Sequence, residues 1–310
     1  MTPRDSARVV ILLATLDGGA FLREQLASIA AQGHDDWRMI WRDDGSGDDT
    51  VAILREFAAS QAPGRVEQLG GPAGRVGSAA SFLALLCHAA PMLGPFDSVA
   101  FADQDDVWLN FKLERAVAGL ATSDPAIPAI YTARQVLVDA RLQRLGMSDL
   151  LLSPMGFPAA LTQNLAIGCT VALNQAAVRL VADSVAPAGC QHDWWAYLLV
   201  TAAGGALIAD AEPVMLYRQH DGNAVGAPRS FTRRALAAVR RGPGLFMQLM
   251  RQNVAALDAQ RASLTPQARA ELDQIKAALA GGPFRRLRVR GLRRQRWAEQ
   301  VLFRLWFVLG

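Results

Sequence analysis

The chain has 310 residues, of which 51% are hydrophobic and 19% charged, with a formal net charge of +4. That composition excludes a disordered chain and supplies enough core for one large domain or two smaller ones. Cys87, Cys169 and Cys190, an odd number without CxxC spacing, exclude a disulfide framework and a zinc site, fit a reducing compartment and make cytoplasm the expected location.

Residues 9–14 read as a short first strand rather than a signal peptide. Strand-like runs at 37–42, 66–69 and 98–102 alternate with helix-like segments at 21–32, 48–60 and 78–90. This rhythm predicts a parallel α/β sheet, in which ligands bind beyond the carboxyl ends of the strands. The loops at those ends are ATLDGG (14–19), RDDGSGDDT (42–50) and DQDDVW (103–108), so acidic residues gather along one edge. Asp48 or Asp49 is expected to cap the helix that starts near Thr50, and Gly45 and Gly47 permit the tight backbone before it. Asp43 and Asp44 precede that cap and need another role. Past residue 125 the pattern predicts strands over 129–140 and 167–173, a helix over 175–184 and another helix opening at His192-Asp193-Trp194-Trp195. The longest uncharged stretch, 194–209, is shorter than the roughly 20 residues of a spanning helix and is broken by Gly204-Gly205, so it reads as a core helix followed by a core strand.

Charge divides the chain. Up to Pro228 there are 15 basic and 24 acidic residues, net −9; from Arg229 onward there are 17 and 4, net +13. The expected organisation is a catalytic domain over 1–228 and a basic, mostly helical region over 229–310. The end of that region, PFRRLRVRGLRRQRW followed by Val301, Leu302, Phe303, Leu305, Trp306, Phe307 and Val308, mixes arginine with large apolar groups. Such a segment reads as a contact with an anionic membrane surface, and as a tail removable from residue 283 onward without loss of the catalytic half, the alternative being a helix that packs on the acidic catalytic domain. No nucleic-acid partner is expected, since no nucleic-acid-binding fold accompanies the arginines.

FADQDDVW places Asp103, Asp105 and Asp106 at the end of a buried strand. A carboxylate removed from water needs a cation, a basic partner or a return to solvent. One reading is a solvated turn, with Asp106 capping the helix that continues through Leu113. The other is a ligand site. A P-loop is excluded, because Phe111 precedes Lys112 and Ile275 precedes Lys276. A dinucleotide fingerprint is excluded too, because Gly71, Gly74 and Gly77 follow the third strand. A divalent metal held by carboxylates and clamping a diphosphate stays available. The DxDx[TV] spacing of residues 103–107 leaves a haloacid-dehalogenase-type phosphohydrolase as an alternative, against the long segment preceding it.

In order and spacing, ATLDGGAFLREQLASIAAQ, RDDGSGDDT, FADQDDVW, GCTVALN (168–174), HDWW (192–195) and LYRQHDGNAVG (216–226) resemble the family-2 glycosyltransferases of the GT-A fold, bacterial rhamnosyltransferases in particular. The resemblance covers residues 8–226 and departs at Leu16-Asp17, where the family usually has an aromatic residue followed by Asn. It implies an inverting, metal-dependent transferase with a mostly parallel central sheet. Thr15, Asp17, Asp43, Asp44, Asp103, Gln104 and Arg218 would hold the nucleotide-sugar donor, guessed as dTDP-L-rhamnose. Asp103 and Asp105, with His220, would hold Mg²⁺ or Mn²⁺. Asp193 would be the catalytic base, and Trp194 and Trp195 would face a glycan or lipid-linked glycan acceptor. A sugar-nucleotide-binding protein without catalysis is the remaining alternative.

Overall fold

The computed structural model describes residues 7–71, 75–151, 155–220 and 243–310. Strand β1 (Val9–Thr15) reads VVILLAT, apolar over most of its length because helices cover both its faces. It pairs in parallel with β2 (Trp37–Asp43) and with β4 (Ser98–Ala102), and β3 (Val66–Gln68) extends the sheet beyond β2. Helices α1 (Gly19–Ala30), α2 (Thr50–Ser60) and α3 (Ser78–Ala89) link these strands. Side chains alternate across the strand, so Val9, Ile11 and Leu13 meet Leu22 and Leu26 of α1, Ile53 and Leu54 of α2, and Leu113 of α4 (Lys112–Leu120). Val10 and Leu12 point the other way, into Phe82, Leu85 and Leu86 of α3.

Beyond β4 the strand order continues with β8 (Ala172–Asn174), β6 (Ala129–Asp139), β9 (Ala206–Gln219) and β5 (Val107–Trp108), while β7 (Arg144–Met147) pairs with β6. β8 and β5 run antiparallel to their neighbours, and β6 and β9 run parallel to each other. The sheet is mostly parallel, as the alternation implied. The strand expected over 167–173 is mostly a turn: Gly168–Thr170 form a single 3₁₀ turn, because the Thr170 and Val171 N–H groups bond back to the Ile167 and Gly168 carbonyls. Strand β8 begins only at Ala172.

The cap expected on α2 is corrected: Asp49 stands at the cap position without a side-chain cap hydrogen bond, and Asp48 Oδ1 instead accepts from Thr50 N–H at 3.0 Å. Asn174 accepts from the Ala177 N–H at 2.9 Å to open α5 (Gln175–Ala182). The uncharged stretch divides as expected: α6 (His192–Ala202) ends at Gly204, whose φ of +80° turns the chain, and β9 follows. At Gly205 a Cβ would strike the Pro128 carbonyl, so no other residue fits that crossing.

After residue 242 come α7 (Gly244–Ala259), α8 (Pro266–Leu279), α9 (Pro283–Leu287) and α10 (Trp297–Leu309). Thr265 caps α8 by accepting from Ala268 N–H at 3.1 Å, with Pro266 as its first residue. Met247, Met250 and Leu257 of α7, Leu272 and Ile275 of α8, and Phe303 and Phe307 of α10 share one core with α3, α5 and α6. The expectation of a detachable tail from residue 283 is therefore corrected, because its inward side chains, with Val289 and Leu292, are core. The 228/229 boundary and the part of LYRQHDGNAVG after His220 lie outside the described residues. Among the described residues no helix is long and apolar enough to cross a membrane.

Candidate active site

Parallel register assembles the first edge. Thr15 lies opposite Asp43, and Leu13 opposite Ala102, which sets the ends of β1, β2 and β4 side by side. Thr15, 3% exposed, donates its hydroxyl to Asp43 Oδ1 at 3.0 Å, and Asp43 Oδ2 accepts from the Gly45 and Ser46 N–H groups at 3.0 and 2.8 Å. Asp44 is buried and accepts from Arg42 at 2.9 Å and from the Val76 and Gly77 N–H groups at 2.8 and 2.7 Å. Burial alone would raise its carboxyl, but the Arg42 guanidinium and the two N–H groups hold it below the ordinary value. Asp17 has a φ of +48°, a left-handed conformation that Asp and Asn tolerate better than other side-chain-bearing residues. Its Oδ1 accepts from Gly47 N–H at 2.7 Å and its Oδ2 pairs with Arg75 at 3.2 Å. Gln104 grips both polar groups of the Leu16 backbone, at 2.8 and 2.9 Å, and occupies the space a side chain at residue 18 would need. The structure thus brings Thr15, Asp17, Asp43, Asp44 and Gln104 together. Thr15 and Asp44 shape the loops from beneath, whereas Asp17 is exposed.

The three acids after β4 have three different settings. Asp103 lies deep in the molecule with part of its surface open. Burial and the carboxylates of Asp105 and Asp193 push it up to about 7, with Lys112 acting in the opposite sense. Asp105 Oδ2 lies 2.9 Å from His220 Nε2, and the His220 ring packs on Phe21 at 4.7 Å between centroids. Asp106 is wholly buried and does not cap a helix, since α4 starts at Lys112 with Phe111 ahead of it. Its Oδ1 accepts from Arg218 N–H at 3.2 Å and its Oδ2 has no hydrogen-bond partner among the described residues. Burial, Asp103 and Asp105 raise its carboxyl well above the ordinary value.

Arg218 corrects the expectation that it pairs with a diphosphate. It is 1% exposed, and its guanidinium donates to the Asp105 carbonyl at 2.8 Å, to the Ala140 carbonyl at 2.6 Å and to Glu24, over the face of Phe21 at 4.5 Å. It braces the acidic loop from below.

Asp103, Asp106 and Cys169 offer ligand atoms within 4.8 Å of one another. Burial, Asp106 and Asp103 hold the Cys169 thiol well above its ordinary value, so it stays protonated and is a poor partner for a hard ion. Lys112 lies against the same cluster, 2% exposed, with its ammonium over the Trp108 ring at 3.6 Å and bonded to the Cys169 carbonyl. Burial lowers it to about 8, against the pull of Asp106 and Asp103. This inner group is a buried charge network. The outer group of Asp103, Asp105 and His220 presents oxygen and imidazole donors to the cleft. The crowding of the Asp103, Asp105 and Asp193 carboxylates fits a divalent cation there, since an added positive charge relieves it.

Asp193 is the second residue of α6, with Gln191 at the cap position, so it is no helix cap. Its Oδ2 accepts from Gly168 N–H at 2.8 Å and its Oδ1 from Trp194 N–H at 2.7 Å. These bonds fix the carboxylate over the turn that replaced the expected strand. Trp195 is fully buried and donates its indole N–H to Ser184 at 2.9 Å, so, against the expectation, it offers an acceptor no exposed ring face and only borders the cavity beside Trp194. Trp194 is half-buried. With Gly189, Cys190, Gln191, Trp195, Leu249 and Asn253 it lines a cavity of about 220 Å³. His192 stacks on Phe82 at 4.0 Å, where burial lowers it to about 4, so it is neutral and outside the acidic cluster.

Sequence reasoning missed Lys112, Cys169, Glu24 and Asn253. Glu24 and Cys169 lay inside quoted motifs without a role assigned to them, and Lys112 stood out as one of only two lysines in the chain.

The sheet edge and its acidic cleft define a nucleotide-diphospho-sugar transferase fold of the GT-A type. The chain belongs to glycosyl transferase family 2, whose model matches residues 10–179. It is 29% identical over 231 residues, 71% of this chain and 75% of the relative, to dTDP-rhamnosyl transferase RfbG of Shigella flexneri. Among solved structures, residues 1–349 of TarS from S. aureus, in complex with UDP-GlcNAc, align with a TM-score of 0.59 at 16% identity, covering 88% of this chain and 71% of that one. The mannosyltransferase PcManGT of Pyrobaculum calidifontis, in complex with GDP-Man and Mn²⁺, aligns with a TM-score of 0.52 at 17% identity, covering 100% and 88%. At these identities the two structures establish the fold alone.

Proposed function

We propose that this glycosyltransferase moves L-rhamnose from dTDP-L-rhamnose, with inversion, to a hydroxyl of a glycan or lipid-linked glycan in cell-surface polysaccharide synthesis. The proposed location is the cytoplasm, at the inner face of the cell membrane. The observation that carries the transfer chemistry is the convergence of Asp103, Asp105 and His220, from the segments that follow β4 and β9, with Asp193 of α6. The rhamnosyl donor is supported by the relative in Shigella flexneri.

Asp17 and Asp43 would meet the nucleoside, in loops shaped by Thr15, Asp44 and Gln104. Asp103, Asp105 and His220 would hold Mg²⁺ or Mn²⁺, which when bound neutralises charge developing on the departing diphosphate. Asp193, oriented by Gly168 and Trp194 N–H groups, would take the proton from the acceptor hydroxyl as it attacks the anomeric carbon from the face opposite the leaving group. Trp194 and the cavity beside it would receive the acceptor. The buried Asp106, Lys112 and Arg218 keep the acidic loop in place.

The test is a donor screen measuring nucleoside diphosphate released from dTDP-, UDP- and GDP-sugars, with and without EDTA. Turnover of dTDP-L-rhamnose that EDTA abolishes is expected. Turnover confined to another donor overturns the rhamnosyl reading, and binding without turnover in the presence of acceptor favours a non-catalytic protein. Asp105→Asn is expected to lower transfer about 100-fold, because one charged ligand and its His220 partner are lost together. Near-normal rates at saturating Mg²⁺ and donor would remove Asp105 from the metal site.

A further inference from the structure

We propose that the outward face of α9 and α10 is a docking surface for an anionic lipid bilayer, lying in the headgroup region rather than crossing it. The inference deepens the peripheral placement proposed above by naming the surface responsible. It starts from how α10 divides its apolar residues. Phe303 and Phe307 are 1% and 0% exposed and pack inward, stacked at 5.7 Å with Phe246 edge-on to Phe303 at 5.8 Å. Trp297, Val301, Leu305 and Leu309 recur every four residues on another side of the helix and are 81%, 61%, 53% and 71% exposed. On α9, Phe284 and Leu287 add 82% and 60%. Single exposed apolar residues are ordinary. Six large ones within one short stretch mark an interaction surface.

Charge selects the occupant. Residues 283–310 hold eight arginines and one acid, Glu299, and that acid is paired with Arg294 at 3.2 Å. Arg286 and Arg304 are spent on backbone carbonyls, and Arg296 pairs with Asp149. Arg285, Arg288, Arg290 and Arg293 are exposed and make no ion pair among the described residues. They occupy α9 and the segment joining it to α10, between the two sets of exposed apolar side chains. Exposed guanidinium groups beside an exposed tryptophan match phosphate headgroups above acyl chains, with Trp at the boundary and Arg in bidentate contact with phosphate. A second copy of the chain fits poorly, because a two-fold interface would bring the same unpaired arginines together. The helix, 13 residues long, extends about 20 Å at 1.5 Å per residue, short of the roughly 30 Å hydrocarbon core, so it lies on the bilayer.

The experiment uses the full chain and vesicle co-sedimentation, without any sugar nucleotide. Vesicles of equimolar phosphatidylglycerol and phosphatidylcholine are compared with phosphatidylcholine alone. The wild type is expected to bind the anionic vesicles at low salt, more weakly as salt rises, and to bind the zwitterionic ones at least about tenfold less. The combined Trp297→Ser, Val301→Ser, Leu305→Ser variant should lose at least about tenfold in partitioning. The variant with Gln at Arg285, Arg288, Arg290 and Arg293 should lose at least about 100-fold at low salt. All these side chains face solvent, so unfolding midpoints and release of nucleoside diphosphate from donor should match the wild type. Wild-type protein that ignores anionic vesicles, or binding unchanged in both variants, overturns the proposal. A concentration-dependent dimer dispersed by the serine variant, without vesicle binding, overturns it in favour of self-association. Because vesicle binding is read without turnover, failure here leaves the transferase reading standing, and failure of the donor screen leaves this one.

Discussion

Asp193→Asn is expected to keep donor affinity and to lower the turnover number by about 100-fold or more, the usual contribution of a positioned general base. The carboxylate is held by two backbone N–H groups, Gly168 at 2.8 Å and Trp194 at 2.7 Å, on an element that contributes nothing to the loops at the ends of β1 and β2. Removing its charge therefore changes proton transfer without disturbing the nucleoside pocket. Asn replaces one acceptor oxygen with a donor nitrogen, so one of the two N–H bonds is lost and a modest fall in stability accompanies the kinetic loss. Asp193→Glu retains the acid but displaces it by a methylene, and misplacement on the order of 1 Å costs about 100-fold as well. Calorimetry with donor and steady-state kinetics with acceptor separate the effects. Donor binding abolished in a folded Asp193→Asn protein would assign the residue to the donor instead.

The half of the sheet built from β1 to β4 was legible because its strands are short apolar runs separated by helices of regular period. The outer half was less so: β5 and β7 have two and four residues, too few for any periodicity, and residues 167–173 look like a strand only until Gly168 is seen bonded to a side chain 25 residues later. At the site the acids were legible as a cluster, since three carboxylates at a strand end demand an explanation. Their separate settings were not. Asp106 reads as a cap by its distance from a helix, but its burial depends on Lys112 and Cys169, and the Lys112 to Cys169 contact spans 57 positions. Trp194 and Trp195 are neighbours in HDWW, and successive helix positions point about 100° apart, so Trp194 keeps an open face while Trp195 is buried, although both border the same cavity.

Arg218 is the instructive case, because it lies in β9 two residues before His220, which follows the strand's last residue, and that spacing suggests one face and one role for both. Two residues of extended chain advance roughly 6.6 Å. At that depth His220 meets the Asp105 carboxylate, whereas Arg218 meets the Asp105 carbonyl from below. Arg218→Ala should therefore act first on stability. It leaves a hole beside Phe21 and removes donors from two carbonyls, of Asp105 and Ala140, each costing about 1–3 kcal/mol if left unmet. Glu24 adds little to that loss, since its side chain is 56% exposed and regains water. The expected destabilisation is about 3–5 kcal/mol, seen as a lower unfolding midpoint in denaturant, and activity falls with it because the Asp105 loop loses its brace. Arg218→Lys should recover only part, since an ammonium cannot span Asp105, Ala140 and Glu24 as the guanidinium does. The opposite result would be an Arg218→Ala protein with an unchanged midpoint and selectively lost donor affinity. That would return Arg218 to the diphosphate and show that the loop stands without it.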